Sequence, residues 1–103
     1  MWKKIQYRTS LQREKTMMFT RYSDPSHGWL EVPKSELKKL GIVDQISEYS
    51  YVSQSNFYLE EDRDAPIFMK EYKKFYNDRP MYEEIFSENC FIRGLRHVKE
   101  IKA

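Results

Sequence analysis

The residues best suited to chemistry are four carboxylates close together in the sequence, Glu60, Glu61, Asp62 and Asp64. Carboxylate oxygens bind hard cations, and a pair of carboxylates can exchange protons with a substrate. However, alternate residues of a strand point to opposite faces, and negative charge is also stabilised at the start of a helix. The cluster therefore has three interpretations: a structural one, which we favour, an acidic patch that binds a partner, and a metal or catalytic site.

A second candidate is His27, which the sequence places in a turn. Imidazole titrates close to neutral pH, so it can act as a general base or as a metal ligand. The other histidine, His97, is far along the chain, and the spacings typical of zinc sites do not occur. We therefore favour a local hydrogen-bonding role for His27. The enzymatic alternative is a small hydrolase or nuclease that combines it with Glu60 or Asp62.

Cys90 is the only cysteine of the chain. A single cysteine cannot form an internal disulfide and is typical of a protein in a reducing cytosol. No neighbour in the sequence marks this thiol as an activated nucleophile. With three glycines, the chain also contains no glycine-rich phosphate loop and no G-x-S-x-G elbow. We therefore expect a protein that is not an enzyme and that needs no cofactor and no metal.

Aromatic and charged residues give two candidate binding surfaces. Tyrosine and tryptophan dominate interface hot spots, and the chain has eight tyrosines. The expected partner-binding residues are Tyr49, Tyr51, Glu60, Glu61 and Asp62. The alternative is a basic surface made by the N-terminal stretch and the tail, since lysine and arginine contact phosphates while rings stack on bases. Its candidate nucleic-acid-binding residues are Lys3, Lys4, Arg8, Arg93 and Arg96.

Composition predicts one folded domain. The chain has 103 residues, of which 40% are hydrophobic and 16% aromatic, and this aromatic content argues against disorder. No apolar run approaches the ~18 residues that span a bilayer, and the basic start is not followed by the apolar stretch of a secretory signal. The formal net charge is +2, but residues 1–43 carry nine basic and four acidic side chains, whereas residues 44–64 carry one basic and six acidic.

The first half of the domain contains a predicted hairpin and a short helix. Residues 17–22 and 28–32 are apolar and rich in residues that favour strands, and the segment 23–26 between them has the aspartate and proline of a turn. A proline then precedes a segment with leucines on one face. Gly41 lies where a helix takes its left-handed cap, so we expect a helix over about 34–40.

The second half contains another hairpin and the main helix. Residues 49–52 and 57–60 flank a four-residue polar loop, which suits a hairpin. Alanine and aromatic residues at helical spacing predict an amphipathic helix over about 65–77. Asp64 stands just before this helix, where its side chain would accept hydrogen bonds from the first turn as an N-cap.

The remaining segments complete an α+β fold. Residues 81–86 are typical of a strand, and residues 90–98 fit either a strand or a helix. We expect an antiparallel sheet built from hairpins, with both helices packed on it. Residues 1–16 form a basic strand or arm, and residues 17–103 form the single α+β domain.

Several short blocks together resemble a known family. The blocks, in chain order, are H-G-W-L-E-V-P at 27–33, L-G-I at 40–42, I-S-E-Y-S-Y at 46–51, Y-L-E-E-D-R-D-A at 58–65 and F-I-R at 91–93. In combination they resemble a set of small proteins encoded by bacteriophages, plasmids and other bacterial mobile elements, over about residues 19–98. Ser26 stands where the family usually has a glycine, and Arg63 where it often has a cysteine.

The resemblance implies a mobile-element origin and the cytoplasm of a bacterial host cell. Small accessory proteins of such elements often inhibit host defence. We therefore expect a non-enzymatic binding protein, a steric inhibitor of a host macromolecule such as a component of a CRISPR-type defence system. A nucleic-acid-binding accessory protein and a small hydrolase or nuclease are the alternatives.

Overall fold

The computed structural model describes residues 18–98. Within this range six strands form one sheet, accompanied by two α-helices and two short 3-10 helices. In chain order these are β1 (Met18–Ser23), β2 (Gly28–Pro33), α1 (Lys34–Leu40), a 3-10 helix (Val43–Gln45), β3 (Tyr51–Val52), β4 (Asn56–Glu60), α2 (Asp64–Tyr76), β5 (Met81–Phe86), a 3-10 helix (Phe91–Gly94) and β6 (Arg96–His97). The basic strand or arm predicted for residues 1–16, with Lys3, Lys4 and Arg8, lies outside the described residues.

The α+β class is confirmed, and so are both hairpins and both helices. Helix α1 has the predicted bounds and ends at Gly41, whose φ of 72° is left-handed, a conformation that a residue with a Cβ adopts at a cost. Helix α2 begins at Asp64 and ends before Asn77, one residue earlier at each end than expected. Residues 90–98 are divided between a 3-10 helix and the short strand β6.

The strand order across the sheet is β5-β1-β2-β4-β3-β6. Four of the five neighbouring pairs are antiparallel, as expected from the hairpins, but β5 pairs with β1 in parallel. The reason is the connection between β4 and β5. Helix α2 carries the chain back to the end of the sheet where β4 began, so β5 runs in the same direction as β4 and β1. Parallel strands require a crossover connection of this kind. The sheet is therefore mixed at this edge rather than wholly antiparallel.

The larger core lies between one face of the sheet and the helices. Leu30 and Leu59 are register partners in β2 and β4, and both are buried on this face. Helix α2 places Phe68 and Tyr72 against Phe19 of β1, with ring centroids 5.3 and 5.8 Å from that of Phe19 and the rings edge to face. Edge-to-face packing is a favoured aromatic geometry, so these rings fix α2 on the sheet.

The opposite face of the sheet is covered by the segment that precedes β6. Trp29 and Tyr58 point to this face because each alternates with a residue of the larger core, and both pack with Cys90 and Ile92. All four are buried. The central strands β2 and β4 are therefore covered on both sides, and Trp29 is buried near the end where β2 begins and β4 finishes.

The prediction that Asp64 is an N-cap is wrong. Its carboxylate is completely buried and accepts hydrogen bonds from the Ser47 backbone N–H, at 3.0 and 3.1 Å, and from the hydroxyls of Ser47 and Ser50. The start of α2 has no side-chain cap from Arg63, the residue before it. Asp64 instead ties the helix to the loop before β3, because a buried carboxylate must be satisfied by whichever donors the fold brings to it.

No helix within residues 18–98 is both long enough and apolar enough to cross a membrane.

Candidate functional site

A cleft of about 520 Å³ opens at the end of the sheet where β2 begins and β4 finishes. Its walls come from the β1–β2 turn, from β2, β3, β4 and β6, from the loop before β3, from the β4–α2 turn and from the 3-10 helix before β6. We refer to it as the aromatic cleft, and its lining residues are His27, Trp29, Tyr49, Tyr51, Glu60, Asp62, Arg63, Arg93 and His97. Its volume falls in the range of sites that hold a ligand or a projecting side chain, ~300–1,000 Å³.

Stacked and edge-to-face rings make one side of the aromatic cleft. Trp29 is buried, and the Tyr51 ring meets it edge to face at 6.0 Å between centroids. Tyr51 is the register partner of His97 in β6, and the two rings lie 4.1 Å apart. The His27 ring lies 6.1 Å from Trp29. The rings of this wall pack on one another, so the wall can bury another flat or apolar group at little cost in side-chain entropy.

Arg93 and Asp24 form the ion pair that anchors the cleft to the β1–β2 turn. The Arg93 Nε donates to Asp24 Oδ2 at 2.5 Å and its Nη2 reaches Oδ1 at 3.3 Å, while the guanidinium lies 5.1 Å from the Trp29 ring centroid. The same carboxylate accepts the backbone N–H groups of Ser26 and His27, each at 2.9 Å. The hydrogen bond from Arg93 and those from the turn together hold the pKa of Asp24 well below its usual range.

We expect Asp24 to make the protein sensitive to acid. A carboxyl group whose pKa is lowered by folding stabilises the folded state fully above its unfolded pKa, ~4 for aspartate, and this contribution is lost as the pH falls toward the lower folded-state value. Urea unfolding at several pH values should show a lower stability at pH 7 for Asp24→Asn and a smaller further loss in acid than for the original chain. The exposed Asp44, changed to Asn, is the matched control, and equal acid profiles for all three proteins would contradict the assignment.

The acidic cluster divides between two sides of the β4–α2 turn. Glu60 lines the aromatic cleft, and its Oε1 accepts the backbone N–H groups of Asp62 and Arg63 at 3.1 and 3.0 Å. Glu61 turns away and pairs with Arg21 at 2.6 Å. The four carboxylates therefore do not converge, as strand alternation predicted. Glu60 and Asp62 remain in the cleft, while Asp64 is internal.

The exposed rim of the cleft combines a ring with a cation. Tyr49 is 57% exposed, and the Arg63 guanidinium lies 5.2 Å from its ring centroid. A cation over a ring at an exposed site stabilises by only ~0.5–1 kcal/mol. Both groups can therefore change partners readily when a ligand arrives.

The structure brings together most, but not all, of the residues that the sequence suggested. Of the expected partner-binding residues, Tyr49, Tyr51, Glu60 and Asp62 line the aromatic cleft, and Glu61 does not. Of the nucleic-acid candidates within residues 18–98, Arg93 lines the cleft, and Arg96 is exposed on β6 without lining it. His27, Glu60 and Asp62, the residues that the hydrolase alternative combines, all line this cleft.

Three lining residues were missed by the sequence analysis: Trp29, Arg63 and His97. Trp29 and Arg63 lie within the sequence blocks that resemble the mobile-element proteins, but the blocks did not indicate a binding role for either residue. His97 enters only because β6 pairs with β3 in a register that places it on Tyr51. No local pattern encodes that register.

Among residues 18–98 no group of three or more histidine, cysteine, aspartate or glutamate side chains is arranged to hold a metal ion. Cys90, the one cysteine, is buried beside Trp29 and Tyr58.

No family model matches the chain, and no curated protein or solved structure matches it either.

Proposed function

We propose that the protein acts by binding a partner protein through the aromatic cleft, and that it inhibits this partner by covering part of its surface. The observation that supports this is the make-up of the cleft: Trp29 and Tyr51 beside Arg63 and Arg93. Tryptophan, tyrosine and arginine are the residue types that dominate protein–protein hot spots. The cleft is large enough for one projecting side chain of the partner.

The charges of the cleft favour a protein partner over nucleic acid. Arg93 already donates to Asp24, so much of its charge is compensated within the molecule. Glu60 and Asp62 line the same cleft as Arg63 and Arg93, and carboxylates repel phosphates. A nucleic-acid alternative would depend on Arg93, the exposed Arg96 and the basic residues outside the described range. A cleft that presents both signs of charge with aromatic rings suits a peptide surface better.

The resemblance to proteins of mobile elements indicates the kind of partner. On this resemblance, we take the partner to be a component of a bacterial defence system, such as a CRISPR-type effector. A rigid domain of this size inhibits by occupying space, and complementary charges around the cleft would speed its association. No turnover of the partner is required by this mode of action.

A small hydrolase or nuclease is the second candidate, and one observation favours it. The imidazoles of His27 and His97 and the carboxylates of Glu60 and Asp62 line one cleft. Imidazole and carboxylate groups are the usual general acids and bases, and Arg93 beside them can stabilise negative charge. His27 Nδ1 also lies 4.0 Å from Glu61 Oε2, close to the carboxylate that could orient it.

Affinity capture from a bacterial host lysate, followed by titration with the purified captured protein, tests the proposal. Tyr49→Ala is the test variant, because its side chain is exposed and its loss leaves the core intact. Phe75→Ala is the matched control, since this ring is equally exposed on α2, away from the cleft. We expect the control to bind normally and Tyr49→Ala to bind about 30-fold more weakly, the loss of one hot-spot residue.

Four outcomes would overturn the proposal. The first is the absence of a stoichiometric partner, and the second is equal binding by Tyr49→Ala and the control. The third is hydrolysis of an ester or phosphodiester by the protein that disappears in His27→Ala, which would establish the enzymatic candidate instead. Captured nucleic acid whose affinity falls steeply with added salt would establish the nucleic-acid alternative.

A further inference from the structure

The strand β5 forms one edge of the sheet. It pairs with β1 on one side and is the last strand in the order across the sheet formed by residues 18–98. All six of its residues, Met81–Phe86, are exposed. An edge strand presents a row of backbone N–H and C=O groups that can pair with another strand. We call this outer side of Met81–Phe86 the β5 edge.

The β5 edge is unusually apolar for an exposed strand. Met81 and Ile85 point to one face of the sheet, and Tyr82 and Phe86 to the other, because side chains alternate along a strand. Their exposed fractions lie between 45% and 59%. Exposed apolar groups concentrated on one strand mark an interaction surface more strongly than the same groups scattered singly.

Two glutamates occupy the middle of the β5 edge and select its partner by charge. Glu84 lies on the helix-side face, where it pairs with Arg21, and Glu83 lies on the opposite face, across from Thr20 of β1. Both are exposed. Antiparallel pairing of two copies centred on these residues would set Glu83 opposite its own copy on one face or Glu84 opposite its own copy on the other, and like charges directly opposite each other destabilise a sheet. A second copy of this chain is therefore disfavoured, and a basic strand is favoured.

A groove on the helix side offers the partner a further contact. It has a volume of about 270 Å³ and lies between β1, the start of α2 and β5, with Tyr82 as one wall. Its lining includes the carboxylate of Asp62, the ion pair of Arg21 with Glu61, and the apolar Met69 and Pro66. Lysine and arginine bury their stems on apolar surface while the charged end stays with acidic or wet groups. A long basic side chain that crosses Tyr82 would meet the apolar Met69 and Pro66 along its stem and the carboxylate of Asp62 at its charged end.

We propose that the β5 edge takes up an extended segment of a partner protein in which apolar side chains alternate with lysine or arginine. Strand addition of this kind draws its affinity from main-chain hydrogen bonds and its specificity from alternate side chains. This surface is separate from the aromatic cleft, whose strand residues lie on β2, β3, β4 and β6. Asp62 lines both the cleft and the neighbouring groove, so binding at the β5 edge is tested at Glu83, which does not line the cleft, and either proposal can fail alone.

A labelled synthetic peptide of about ten residues that alternates lysine and valine is a direct probe, with a peptide that alternates glutamate and valine as its counterpart. Fluorescence anisotropy with the full chain should show binding of the lysine peptide and binding about tenfold weaker, or none, of the glutamate peptide. Glu83→Lys should weaken binding of the lysine peptide about tenfold, while Asp44→Lys, the same charge change at an exposed site off the sheet, should leave it nearly unchanged.

Hydrogen exchange on the same samples locates the contact. Amides within residues 81–86 should exchange rapidly where they face outward in the free protein and become protected when the lysine peptide binds. Equal binding of both peptides, binding that Glu83→Lys does not weaken, or unchanged exchange at residues 81–86 would overturn the proposal. Protection of every one of these amides in the free protein would also overturn it, because the edge would then already be occupied.

Discussion

Replacing Phe68 with alanine is expected to lower the free energy of unfolding by about 4 kcal/mol. Phe68 is completely buried at the centre of the contact between α2 and the sheet. Its ring lies 5.3 Å from that of Phe19 and 5.6 Å from that of Tyr72. The substitution removes the apolar surface of the ring and leaves a cavity that these two neighbours can fill only partly.

The same substitution at Phe75 is the matched control. Phe75 lies on the same helix, but its ring is 55% exposed. It contacts Tyr76 and the Lys39 ammonium, so Phe75→Ala should cost less than about 1 kcal/mol. Chemical denaturation followed by circular dichroism measures both values. Similar losses for the two variants would show that α2 is not packed on the sheet as described.

Replacing Asp64 with asparagine is expected to lower the free energy of unfolding by about 3 kcal/mol. The buried carboxylate accepts from the Ser47 N–H and from the hydroxyls of Ser47 and Ser50. Asparagine keeps the shape of the side chain but turns one acceptor into a donor that faces other donors. Ser50 Oγ also accepts the backbone N–H of Glu60 at 2.9 Å, so the disturbance reaches the end of β4.

Asp62→Asn, in the turn immediately before α2, is the control for this prediction. Asp62 is exposed, and we expect its change to alter stability by less than about 0.5 kcal/mol. Because the loop that Asp64 holds carries Tyr49, Asp64→Asn should also weaken binding at the aromatic cleft at temperatures where the fold persists. A stability loss at Asp64 no larger than that at Asp62 would mean that the serine hydroxyls find other acceptors.

Local signals in the sequence were sufficient for most of the elements. Helix α1 could be placed because a proline and Gly41 bound it, and the observed φ of Gly41 shows why glycine stands there. The spacing of apolar residues along α2 likewise follows from burial of one face. The parallel pairing of β5 with β1 could not be predicted, because the two strands are far apart in the sequence and no turn connects them.

The site could be predicted only in part, for a related reason. Tyr49, Tyr51, Glu60 and Asp62 lie on neighbouring hairpin segments, so residue type and local order suggested them together. His97 and Arg93 join them through contacts that span most of the chain, Arg93 with Asp24 and His97 with Tyr51. The N-cap prediction for Asp64 failed because three donors from another loop offered a better environment than its own helix.

The parallel pairing at the sheet edge has a consequence for the order of folding. Arg21 and Glu84, which face each other across β1 and β5, are 63 positions apart in the chain, whereas the β1–β2 and β3–β4 hairpins close over short loops. Closing a long loop costs more chain entropy and slows folding. We therefore expect the hairpins to form first and β5 to dock late. During synthesis, while residues 81–86 are still inside the ribosome, the backbone groups of β1 that pair with β5 would not yet have this partner.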